Sequence, residues 1–163
     1  IREMADQISK DYAGEALHLV CILRGSIFFT CELAKYITVP VTVDFMSVSS
    51  YGDGTESTGR IKIMKDLDDP IKDKNVLVIE DIIDSGRTLS HLLSFLKVRE
   101  PKSLKLCTLL DKPDRRDPSV TLQPDYTGFV IPNEFVVGYG LDYDEYYRNL
   151  PYIGILKPEV YEK

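Results

Sequence analysis

The sequence predicts an α/β domain on a largely parallel central sheet, and three observations carry the prediction. Apolar runs of strand length alternate with stretches of helical period along the chain. The run Val76 to Ile79 has no polar alternation, as expected of a strand covered on both faces. It leads into three carboxylates within five positions, Glu80, Asp81 and Asp84, then a glycine and a second helical pattern. In sheets of this kind ligands bind beyond the carboxyl ends of the strands, so these acids mark the edge to examine.

Each element follows from its own pattern. Ile1, Met4, Ala5 and Ile8 are spaced for one helical face, and Gly14 ends that pattern before "LHLVCIL" (17–23), a buried strand. "SIFFTCELAKYI" (26–37) has helix length, with Ile27, Cys31 and Ala34 on one side. "VTVDFMSV" (41–48) alternates as a strand, "SSYGDGTESTG" (49–59) is a polar loop punctuated by glycine, and "RIKIM" (60–64) returns as a strand. After the run at 76–79, a helix over 86–98 presents Leu89, Leu92, Leu93 and Leu96 on one face. "SLKLCTLL" (103–110), "FVVGYG" (135–140) and "YIGIL" (152–156) supply the remaining strands. No repeat, low-complexity segment or linker interrupts the series, so one domain over 1–163 is expected. The first residue is Ile1 rather than methionine, and an incomplete native N-terminus is expected.

Bulk properties exclude several classes of function. The 163 residues are 44% hydrophobic, and 20 basic against 26 acidic residues give a net charge of −6. There is no run of five or more like charges, which disfavours a nucleic-acid partner. Cys21, Cys31 and Cys107 form no CxxC pair and are odd in number, so we expect buried free thiols in a reducing cytosol rather than disulfides or zinc. No apolar stretch reaches membrane-spanning length and no signal peptide is visible.

The segment "DSGRT" (84–88) has what a phosphate monoester needs. Gly86 permits a tight turn, the helix that follows offers backbone N–H groups and the positive end of its dipole, and Ser85 and Thr88 add hydroxyls. Asp and Ser are also ordinary N-caps, so this segment alone has a purely structural reading. Glu80 and Asp81, directly after four buried aliphatics, are harder to explain that way because unpaired buried carboxylates are costly. Carboxylates would repel a bare phosphate. They suit a ligand that also brings sugar hydroxyls and magnesium. Neither a GxxxxGK[ST] loop nor a complete dinucleotide fingerprint is present.

"VLVIEDIIDSGRTL" (76–89) resembles the phosphoribosyl-pyrophosphate motif of type I phosphoribosyltransferases. "LRGS" (23–26), "SYGDGTESTG" (50–59), "LLDKPDRR" (109–116), "FVVGYGLDYDEYYRNLP" (135–151) and "IGIL" (153–156) narrow the resemblance to the hypoxanthine-guanine branch and cover nearly the whole chain. The resemblance implies a small hood and a flexible active-site loop added to the sheet. It implies magnesium-dependent transfer of a 5-phosphoribosyl group to hypoxanthine or guanine, giving IMP or GMP. A xanthine-using enzyme is the nearest alternative, and a phosphoribosyltransferase-like RNA-binding regulator a more distant one.

The resemblance also implies roles for individual residues. Glu80 and Asp81 hold the ribose hydroxyls near magnesium, and Ile83 to Thr88, with Ser85, Gly86 and Arg87, surround the 5′-phosphate. Asp84 relays the proton lost by the purine. Arg24, Gly25 and Arg148 face pyrophosphate, with a cis peptide expected between Arg24 and Gly25 and with Arg24 standing where lysine is commoner. Ser50 and Tyr51 belong to a lid over the reaction centre. Lys112 donates to the exocyclic oxygen of a 6-oxopurine, Phe135 stacks on its ring, Val136 gives a backbone contact, and Asp142 accompanies a second magnesium. Each of these has a plainer reading as a loop charge, a core residue or a turn residue. A homodimer or homotetramer is implied. His18 and His91 are expected to be structural or exposed.

Overall fold

The computed structural model describes residues 1–50 and 60–162. The chain order is α1 (Arg2–Asp11), β1 (Leu17–Ile22), α2 (Ile27–Tyr36), β2 (Val41–Ser50), β3 (Ile61–Lys65), β4 (Asn75–Ile83), α3 (Arg87–Lys97), β5 (Ser103–Asp111), β6 (Tyr126–Val130), β7 (Val136–Val137), β8 (Gly154–Ile155) and α4 (Pro158–Tyr161), with a 3-10 turn at Pro113–Arg115. Six strands form one sheet in the order β3-β2-β1-β4-β5-β6. All neighbours in it are parallel except β2 and β3. The strands β7 and β8 form a separate antiparallel pair.

Period-two alternation within the central strands sorts their side chains between two cores. Leu17, Leu19, Leu77, Ile79, Cys107 and Leu109 pack with α1 and α2 residues Ala5, Ile8, Phe29 and Leu33 on one face. Val20, Ile22, Val76, Val78 and Leu106 pack with Leu89, Leu92 and Leu96 of α3 on the other. A sheet covered on both faces requires the continuous apolar runs seen in the sequence. No helix among the described residues is long and apolar enough to cross a membrane.

Several expectations need correction. The strand expected at 76–79 continues to Ile83, so Glu80 and Asp81 are strand residues rather than part of the turn. The strands expected at 135–140 and 152–156 shrink to two residues each, because this region is dominated by tight turns with left-handed Gly138, Tyr139 and Gly140. Strand β6, absent from the sequence reading, pairs with β5 although only Tyr126 in it is buried. Cys31 is exposed, because the helix turns it away from the core that buries Cys21 and Cys107. The cis peptide lies between Leu23 and Arg24, one residue before the expected bond. His18 is buried and His91 exposed.

Candidate active site

Strand register explains why residues distant in sequence meet. In the parallel β4–β5 pair Ile83 stands opposite Asp111, so the next residues, Asp84 and Lys112, leave the sheet side by side. The Lys112 amide donates to the Ile83 carbonyl at 3.0 Å, and Lys112 Nζ lies 3.5 Å from Asp84 Oδ1. The Lys112 side chain is largely buried while that of Asp84 is half exposed.

Two cavities adjoin at this point. The smaller, about 180 Å³, is bounded by Glu80, Ile82 to Gly86, Thr88 and aliphatics of α3. The larger, about 510 Å³, is bounded by Asp81, Lys112, Phe135, Val136, Asp142 and Tyr161, among others. Ile82 and Asp84 line both. The structure therefore gathers Glu80, Asp81, Ile83, Asp84, Ser85, Gly86, Thr88, Lys112, Phe135, Val136 and Asp142 around adjoining spaces.

Glu80 and Asp81 are half-buried, and each accepts a backbone amide: Asp81 N to Glu80 Oε1 at 3.0 Å, and Ile82 N to Asp81 Oδ1 at 2.7 Å. Burial, then the Asp81 charge, pushes the Glu80 carboxyl well above the usual carboxylate range. Burial pushes Asp81 up as well, opposed by hydrogen bonds from Glu80 and from the Ile82 amide. Among the described residues no cluster of three or more His, Cys, Asp or Glu could hold a metal ion unaided. These carboxylates nevertheless fit magnesium arriving with a ligand, since that ion keeps several water and phosphate oxygens in its shell.

The loop at Ser85 and Gly86 is fixed from the neighbouring connection. Gly86 has φ 76°, and a Cβ there would come within 3.2 Å of Arg116 Cδ and 3.3 Å of Leu122 and Val120. Arg116 donates to the Asp84 carbonyl at 2.9 Å and pairs with Asp111 at 2.5 Å. Asp117 accepts from the Arg87 guanidinium, and its amide donates to the Ser85 carbonyl at 3.0 Å. Arg87 thus spends its side chain on the scaffold rather than on the cavity. Ser119, through its hydroxyl and amide, and then Arg87 pull Asp117 down to about 2.

Across the site, Gly25 lies against Asp81: a Cβ on Gly25 would sit 1.8 Å from Asp81 Oδ2. Gly140 is as close on the other side, where a Cβ would meet the Gly25 carbonyl at 2.0 Å. Arg24 and Arg148 converge on one acceptor. Glu145 Oε2 is 2.8 Å from Arg24 Nη1 and 3.3 Å from Arg148 Nη2, and Arg148 Nη1 also lies 3.4 Å from Asp142 Oδ1. Ser50 is the last residue of β2 and is exposed, whereas Tyr51 and the rest of the expected lid, 51–59, lie outside the described residues.

Sequence reasoning missed Tyr161, Arg116, Asp117 and Glu145. Tyr161 stacks on Phe135, with ring centroids 5.2 Å apart and planes 21° from parallel, while Tyr143 meets the same ring edge-on. Nothing in the short segment around Tyr161 signals this. "DRRDP" (114–118) did offer a signal, because adjacent opposite charges invite ion pairs with neighbouring segments.

The family model described as "Phosphoribosyl transferase domain" matches residues 1–144. The chain is 52% identical over 162 residues to the hypoxanthine-guanine phosphoribosyltransferase of Streptococcus thermophilus, covering 99% of this chain and 89% of that protein. It is 55% identical over 163 residues to the bifunctional protein TilS/HprT of Listeria innocua, all of this chain but only 25% of that relative's length. A crystal structure of a hypoxanthine phosphoribosyltransferase from Staphylococcus aureus superposes with a TM-score of 0.96 at 52% identity, covering 99% of this chain and 87% of that one.

Proposed function

The chain belongs to the phosphoribosyl transferase domain family, and from that premise we propose that it transfers the 5-phosphoribosyl group of phosphoribosyl pyrophosphate to a ring nitrogen of hypoxanthine or guanine. The products are IMP or GMP and pyrophosphate. The observation that carries this reading is the pair of cavities adjoining at Ile82 and Asp84, one beside a glycine turn with hydroxyl donors and one beside a lysine and an aromatic ring.

In this reading Ser85, Gly86 and Thr88 receive the 5′-phosphate at the start of α3, while Glu80 and Asp81 accept hydrogen bonds from the ribose hydroxyls. The purine lies in the larger cavity against Phe135. Lys112 Nζ donates to its exocyclic oxygen and the Val136 backbone supplies a further contact. Asp84, within reach of both cavities, accepts at its carboxylate the proton released as the ring nitrogen attacks the anomeric carbon. Arg24 and Arg148 receive the departing pyrophosphate, with the Gly25 backbone against it. Glu80, Asp81 and Asp142 would hold magnesium, which supplies positive charge where the leaving group gathers negative charge.

Free thiols suit action in a reducing cytoplasm. We also infer self-association into a homodimer or homotetramer, because the edge strand β6 exposes Phe129 and Val130, at 62% and 68%. One functional domain over 1–163 accounts for the sheet and the site together. A steady-state assay with phosphoribosyl pyrophosphate and hypoxanthine, guanine, xanthine or adenine tests the proposal. Turnover of hypoxanthine and guanine is expected, and turnover of none of the four would overturn it.

A further inference from the structure

We propose that Glu145 is a built-in competitor for the pyrophosphate site: its carboxylate holds Arg24 and Arg148, and diphosphate binds by displacing it. The proposal rests on the reading above in assigning those two arginines to the pyrophosphoryl group.

A single oxygen, Glu145 Oε2, bridges guanidiniums that come from opposite ends of the chain, Arg24 after β1 and Arg148 before β8. The turn that carries it is shaped for this contact. Asp144, Glu145 and Tyr147 have φ of 51°, 70° and 75°, a left-handed region that L side chains seldom occupy, and the Glu145 amide donates to Asp142 Oδ2 at 2.9 Å. A glutamate in a conformation that glycine or asparagine adopts more readily points to a task for its side chain.

Charge balance identifies the task. Two guanidiniums face two carboxylates, Glu145 and Asp142, so these four side chains sum to zero. A diphosphate takes Arg24 and Arg148 as partners only by replacing a carboxylate. Asp142 is half-buried within the large cavity, whereas the Glu145 side chain is 63% exposed and its Arg24 partner 72% exposed. Water screens that pair, so it is the one that exchanges. The protein partners also leave Arg148 Nε buried without an acceptor, so they do not use all of its donors. Glu145 thereby sets how tightly pyrophosphate is held, both as part of the incoming substrate and as the product that must leave.

Calorimetric titration of inorganic pyrophosphate in magnesium chloride tests this without requiring turnover. Glu145→Gln is expected to bind pyrophosphate roughly 3- to 10-fold more tightly than the wild type, the range for one or two screened ion pairs. Asp144→Asn removes a neighbouring exposed carboxylate that has no ion pair among the described residues, and should change affinity by less than about twofold. The KM for phosphoribosyl pyrophosphate should fall in Glu145→Gln while the KM for the purine stays fixed. Unchanged or weaker pyrophosphate binding in Glu145→Gln overturns the proposal, as does equal tightening in Asp144→Asn, which would mean a general field effect. If wild type binds pyrophosphate and Arg148→Met abolishes that binding, failure of Glu145→Gln to tighten overturns this proposal alone. If wild type binds none, the assignment of the arginines falls with it.

Discussion

At Asp84 one side chain borders both cavities, with Lys112 Nζ 3.5 Å away and its own carbonyl held by Arg116. Asp84→Asn keeps the shape but cannot take a proton, so turnover is expected to fall by about 10²–10⁴ with phosphoribosyl pyrophosphate binding retained. Undiminished turnover would remove Asp84 from proton transfer. Lys112 offers only donors, which suit an exocyclic oxygen and mismatch the amino group of adenine. Lys112→Met should cost about 1.5–3 kcal/mol in transition-state binding for hypoxanthine and guanine, and little for adenine. Relative kcat/KM values for the three bases measure it, and an unaltered preference would return Lys112 to a structural role. Asp84 and Lys112 both entered the sequence reading through segments that resemble family motifs, and the structure brings their side chains together. Arg116 and Glu145 each have one partner close in sequence, Asp111 and Arg148, but their distant ones, the Asp84 carbonyl and Arg24, are supplied by packing that the sequence does not display.

At the level of elements, the connection between β3 and β4, which meets Asp44 of β2, shows how a buried acid can be structural. Asp44 is 3% exposed and accepts amide hydrogens from Phe45, Asp68 and Asp69 at 2.8, 2.9 and 3.2 Å. Burial raises its pKa, but those three amides and Lys65 outweigh burial and leave it lowered. A carboxyl lowered on folding contributes stability above its unfolded pKa of about 3.9 and loses it as the pH falls toward the folded value. Asp44→Ala should therefore cost about 2 kcal/mol near neutral pH. The deficit should shrink as the pH drops below about 4, which urea denaturation at several pH values can follow. A deficit independent of pH would assign the loss to packing instead. The buried strands β1, β4 and β5 were legible because both faces demand apolar residues. The edge strand β6 was not, because its place comes from pairing with β5, and Gly128 and its exposed side chains carry no pattern.

Across the whole molecule, the two cores leave apolar surface at one sheet edge and near the paired β7 and β8, where Tyr152 and Ile155 are 60% and 63% exposed. Burying such residues against a second copy would gain roughly 25 cal/mol per Å² of apolar area. Light scattering coupled to size exclusion is expected to give at least twice the monomer mass. Phe129→Glu with Val130→Lys should lower that mass if β6 forms the contact. A monomeric wild type would refute self-association. Architecture was readable at this scale because alternating strands and helices allow few topologies. Quaternary contacts depend on exposed side chains that a sequence does not separate from ordinary surface.

The seat of Asp81 against Gly25, which Gly140 approaches in turn, also bears on how this chain can be recombined with its relatives. A crossover between 26 and 80 joins one parent's glycine to the other parent's acid, and there is no space at that junction for a methyl group. A crossover between 82 and 139 splits Gly25 from Gly140 in the same way. Exchange beyond 150 inherits all three from one parent. Chimeras should therefore tolerate swapped tails and resist swapped halves, unless both parents have the same residues at these three positions.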